Sequence, residues 1–328
     1  MQRQTSFEAQ ERRTQSAFRA RSETFSTVGR EEGEFRGRRY PFIIPADHWV
    51  ENLHPSLRPT APRYFAQNKI VWHRMRHHLL SSQVSCVNFL MPLAGRPDIL
   101  ARLLESALQQ PVEMEPIEHA DGKPVYVAFE YVGDRDYLNE AGGKEPTRGA
   151  NCTSVDAAVR FRSGGRSEIL LIEWKYTEKY GENPLVRGNG TRSKRYADIA
   201  FEPDGPVRRV DGLELEDLFC EPFYQFLRQQ MLAYRMETHG CADRVRVLHV
   251  TPAANTDFER VTIPKLRARG RTATEAWKSL LRDPDAFIGI STERLFRGIN
   301  LEDSPELRPW WAYLRDRYAG CLAPRSEL

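Results

Sequence analysis

The stretch Asn151–Glu178, NCTSVDAAVRFRSGGRSEILLIEWKYTE, decides the fold. Two β-type runs flank Ser163, Gly164, Gly165 and Arg166, the pattern of a hairpin with a short glycine loop. The run Ile169–Ile172 is continuously apolar, as expected of a strand buried on both faces. Glu173, Trp174 and Lys175 follow it directly. Alternate residues of a strand share a face, so Glu173 and Lys175 point the same way. Asp156, on the preceding strand, can oppose them across the pairing. Burying charge is unfavourable unless the charge is paired or binds a metal. These residues therefore read either as a structural Glu–Lys pair or as a site. In the second reading Asp156 and Glu173 hold a divalent cation and Lys175 contacts substrate oxygen or an attacking water. Hard cations prefer carboxylate oxygen and share substrate phosphate, and they stabilise the charge that develops in phosphodiester hydrolysis.

Working outward, Val125–Phe129 reads as a first strand ending in Glu130, with the strands of Asp156 and Glu173 second and third. Leu213–Glu237 carries Phe223, Phe226, Leu227, Met231 and Leu232 at helical spacing and closes at Gly240. Arg244–Val250 is a fourth strand, and a helix before it favours parallel pairing with the third. Upstream, Asp98–Gln109 and Arg63–Leu80 read as helices. His73 and His77 of the latter lie four apart, without a third zinc ligand. Downstream come a helix over Thr272–Leu281, an edge strand at Phe287–Ile290 and an aromatic amphipathic helix over Leu307–Tyr318.

Asp156 followed by Glu173-Trp174-Lys175 after a buried strand resembles the core of the PD-(D/E)XK nuclease superfamily. The wider run from Arg148 to Glu178 resembles a bacterial group of restriction endonucleases within it. The likeness spans residues 120–255, and Val155 stands where the motif usually has Pro. It implies an α/β fold, a restriction-endonuclease-like αβββαβ core whose mixed central sheet is flanked by helices, with helical additions at both ends. It further implies Asp156 and Glu173 as ligands of Mg²⁺ or Mn²⁺, the Trp174 carbonyl as a further oxygen, and one more acid, either Glu105 on the preceding helix or Glu130. Lys175 would orient water or stabilise the scissile phosphate, since a lysine's pKa falls readily on burial. Gln230 and Tyr234, four apart after the metal motif, resemble the Q-x-x-x-Y element of RecB-like members and join the candidate site. The implied activity is endonucleolytic hydrolysis of DNA in restriction or defence. An RNA- or repair-directed nuclease and an inactive nucleic-acid binder are the alternatives. A homodimer would let each copy cut one strand.

Four segments follow: a disordered basic arm at 1–39, a helical part at 40–120, the nuclease core at 121–255 and a helical extension at 256–328. The arm has nine Arg and six Glu, with isolated aromatics. The segment 181–212, with Arg187, Arg192, Lys194 and Arg195, reads as a long cationic loop suited to tracking phosphates. Net charge is only +3, so composition alone does not argue for nucleic acid. Five scattered cysteines, none in C-x-x-C spacing, argue against zinc ribbons and disulfides and for a reduced, cytoplasmic setting. No run is apolar enough to span a membrane or to act as a signal peptide.

Overall fold

The computed structural model describes residues 6–150, 152–180 and 190–322. Its centre is a six-stranded mixed sheet. The strands are β1 (Glu113–Glu115), β2 (Ala128–Tyr131), β3 (Val155–Ser163), β4 (Arg166–Trp174), β5 (Arg244–Thr251) and β6 (Phe287–Ser291). β3 and β4 form the expected antiparallel hairpin. Gly164 and Gly165 both have positive φ, which a two-residue turn of this twist demands. β5 lies parallel to β4, and β6 parallel to β5. The far edge of β3 is shared: β2 pairs with its first half and β1 with its last.

Helices cover both faces. Those longer than one turn are α1 (Phe7–Arg21), α2 (Thr60–Gln67), α3 (Ser82–Leu90), α4 (Pro97–Leu108), α5 (Gly190–Ala200), α6 (Phe223–Thr238), α7 (Ala273–Leu280), α8 (Thr292–Phe296) and α9 (Arg308–Arg317). Strand alternation sorts the core in two. Leu170, Ile172 and Trp174 face one apolar cluster, with α1, α3, α4 and α9. Ile169 and Leu171 face the other, with α5, α6 and α7. Helix α4, antiparallel strands β2 to β4, helix α6 and parallel strand β5 thus follow in the expected order, with edge strand β1 and helix α5 added and the first strand at Ala128–Tyr131 instead of Val125–Phe129.

Several expectations need correction. The disordered arm is a helix from Phe7, capped by Ser6 and buried along Phe7, Glu11, Gln15 and Phe18. Its aromatics look isolated in the sequence because their partners lie far off: Phe18 meets Tyr313, and Phe7 meets Tyr176. The helix expected over Arg63–Leu80 stops at Gln67, where Lys69 turns left-handed and the chain folds back to stack Trp72 on Phe65. Helix α3 escaped notice because Gln83 to Leu90 are all buried, which erases the amphipathic period. The helix expected over Leu213–Glu237 begins at Phe223, after a short 3-10 turn at Leu215–Leu218. Part of the expected loop is helix α5; Arg187, Gly188 and Asn189 lie outside the described residues.

A buried network closes the fold around the end of β4. Tyr176 accepts from Gln15 Nε2 at 2.9 Å and donates to Glu11. The fully buried Arg317 donates to Gln15 Oε1 at 3.0 Å and to the Asn52 carbonyl at 2.6 Å. Phe18→Ala should therefore cost about 3–5 kcal/mol of stability, as aromatic truncation in a core does. Urea unfolding checks this; an unchanged midpoint would restore the disordered arm.

Candidate active site

The sheet register places the acids. Phe129 pairs with Ala157 and Tyr131 with Val155, so Glu130 falls opposite Asp156. Ala157 pairs with Ile172, so the next rung sets Asp156 opposite Glu173. Glu173 in turn pairs with His249. Glu130, Asp156, Glu173 and His249 form one row across four strands. Alternation puts Glu173 on the α6 face with Ile169 and Leu171, and Lys175 follows just beyond the strand end; at Asp156 and Glu130 the alternation breaks, since Val155 and Ala157, like Phe129 and Tyr131, face opposite clusters. The backbone at Glu130 is left-handed, with φ of 49°, an uncommon conformation for a residue with a side chain and one that clusters at functional sites.

Each carboxylate is held. Asp156 accepts from the Trp174 N–H at 2.8 Å. Glu173, 3% exposed, accepts from Lys175 Nζ at 2.6 Å, from Gln225 and from Gln229. Glu130 accepts from Gln83 Nε2 at 2.6 Å and from Ser154 Oγ at 3.2 Å, with His73 at 3.8 Å. The Trp174 indole points to the opposite face, towards Phe89 and Ser85. Trp174 thus fixes Asp156 through its backbone while anchoring β4 in the other core.

The charges are not balanced. Burial raises the Asp156 carboxyl well above its usual range, Glu173 and Glu130 push it further, and Lys175 with the Trp174 N–H opposes less strongly. Burial likewise raises Glu130. Lys175 corrects an expectation. Burial alone would lower it, but Glu173, then Tyr180, Glu178 and Asp156, outweigh that and hold it well above its ordinary value. It is therefore a firm ammonium and not a lysine poised to lose its proton. Burial, reinforced by Lys175, keeps His249 neutral.

Other candidates lie elsewhere. Glu105 accepts from the Val112 N–H at 3.2 Å near the end of α4 and has no place in the row. Gln230 is buried one residue further round α6, and Tyr234 donates to Glu202 at 2.8 Å. One residue is about 100° of helix, so Gln225 and Gln229 face Glu173 and the predicted pair does not. The sequence does carry that second pair, also four apart. Glu221, at the turn into α6, was also missed; burial raises its carboxyl while Lys175 opposes.

A family model described as restriction endonuclease associating with ARP matches residues 11–319. The chain belongs to this family. Membership brings with it a hydrolytic, restriction-endonuclease-like nuclease, and the match reaches from α1 to α9, the two helices that clasp the end of β4. No curated protein and no solved structure matches the chain. No helix among the described residues is long and apolar enough to cross a membrane.

The electrostatics give a pH test. A carboxyl raised in the folded state favours folding at acid pH, below its unfolded value near 4. That contribution is lost as pH rises through the folded value. Asp156→Asn should therefore melt higher than wild type in EDTA at neutral pH, with the gap closing towards pH ~4. Differential scanning calorimetry at the two pH values measures it. A neutral-pH gap of zero would mean that Asp156 is not under this strain.

Proposed function

We propose that the chain is a metal-dependent endonuclease of the PD-(D/E)XK type, hydrolysing phosphodiester bonds in DNA in restriction or phage defence. The observation that carries this reading is the gathering of Glu130, Asp156 and Glu173 from three neighbouring strands, beside the Lys175 ammonium. Three neighbouring acids and one lysine leave an excess of negative charge in a buried place, which a bound cation relieves. The donor set is all oxygen, which suits Mg²⁺ or Mn²⁺. Among the described residues no three His, Cys, Asp or Glu gather closely enough to hold a metal by themselves. That agrees with a cation that takes part of its shell from water and substrate phosphate. Asp156, Glu173 and the Trp174 carbonyl would hold it, with Glu130 as the third acid in place of Glu105.

When bound, such a cation lowers the pKa of a coordinated water and neutralises developing phosphorane charge. The chain's own groups do the rest. Gln225 and Gln229 fix both oxygens of Glu173, and the Trp174 N–H fixes one oxygen of Asp156. Lys175, kept protonated, presents N–H donors and positive charge to a phosphate oxygen and orients the attacking water. It does not take that water's proton. The family description pairs these nucleases with ARP, and we place the activity in such a partnership.

Incubation of the protein with plasmid, linear duplex, single-stranded DNA and RNA, with Mg²⁺ or EDTA, tests the reading. Cleavage of DNA should require Mg²⁺. Asp156→Ala, Glu173→Ala and Lys175→Ala should each lose about 10²–10³-fold or more in rate, the scale of removing one transition-state contact. Glu130→Gln should also lose activity, and Glu105→Gln should keep it. Mg²⁺ should raise the melting temperature of wild type and not of Asp156→Ala. Wild-type rates in the Asp156 and Lys175 variants would overturn the assignment; RNA cleavage alone would redirect it.

A further inference from the structure

Beyond His249 the row opens into a cavity of about 480 Å³ at the carboxyl ends of β5 and β6. The crevice past the carboxyl ends of parallel strands is where α/β folds hold ligands, and the volume is that of a small-molecule site. His249 lines it, is 1% exposed, and neither ring nitrogen has a partner. Thr251, 8% exposed, lines it too, and its hydroxyl is also unpartnered. Buried polar atoms are normally paired, and unpaired ones call for an explanation. Together they offer a donor and an acceptor at the floor. Pro252 and Ile290 add apolar walls, while the exposed Arg260 and Arg271 stand at the mouth.

We infer that this cavity is a nucleotide-binding site. The floor matches the hydrogen-bonding edge of a heterocyclic base, the walls match its flat faces, and the two guanidiniums match its phosphate. The nucleotide has two sources. One is a free mononucleotide. The other is a single nucleotide of the substrate, splayed from its stack as the neighbouring phosphate reaches Glu173 and Lys175. The second source rests on the nuclease reading; the first does not.

The test uses the full chain in EDTA, so that binding is read without cleavage. In one arm AMP, GMP, CMP and TMP are titrated singly by calorimetry. In the other, duplexes carrying 2-aminopurine report unstacking as brightening. At least one arm should respond. Thr251→Val and the exposed Arg271→Ala, each with an unchanged melting temperature, should weaken that response roughly five-fold or more, as losing one hydrogen bond does. Mononucleotide binding alone identifies a free ligand, and brightening identifies a splayed base. Silence in both arms, or equal responses in wild type and both variants, overturns the site. Loss of cleavage in the Asp156 variant is measured separately, so either reading can fail alone.

Discussion

Like charges brought together out of water dominate this molecule. Glu130, Asp156 and Glu173 come from three neighbouring strands and lie close enough that Glu173 and Glu130 push the buried Asp156 carboxyl further up. Their repulsion is not screened there as it would be on the surface. The surroundings answer it with fixed donors: Gln83 for Glu130, the Trp174 N–H for Asp156, and Lys175, Gln225 and Gln229 for Glu173. Those donors come from α3, from β4 and the residue just past it, and from α6. Helices on both faces of the sheet are thereby committed to one row of oxygens.

How much of this was legible in the sequence depends on the range of the interaction. The hairpin was plain because its turn and its apolar strand are local, and Gly164-Gly165 can hardly serve another purpose there. That Asp156 lies on the strand paired with that of Glu173 was legible because the hairpin between them is local. Glu130 and Glu105 could not be separated, since the choice rests on which strand pairs with β3, a non-local fact. Gln230 and Gln229 could not be told apart by helix phase, since both lie within about 60° of Phe226, and the choice rests on how α6 sits over Glu173. The reading of Lys175 weighed burial alone, whereas Glu173, Tyr180, Glu178 and Asp156 push its pKa the other way.

The missed helices share one cause. α1 is polar and α3 is buried all round, so neither shows the one-sided stripe that announces a helix. Each is ordered by partners remote in sequence. Gln83 of α3 reaches Glu130, and Asn88 reaches Asn52 and Tyr318. Gln15 of α1 reaches Tyr176 and Arg317. Conserving such contacts demands tertiary geometry that no window of residues encodes.

The Arg317–Gln15 bond joins residues 302 apart, and Tyr176, next to Lys175, hangs from the same glutamine. A chain cut short of residue 317 would lack this lock, and the end of β4 would lose a brace that neither terminal region can supply alone.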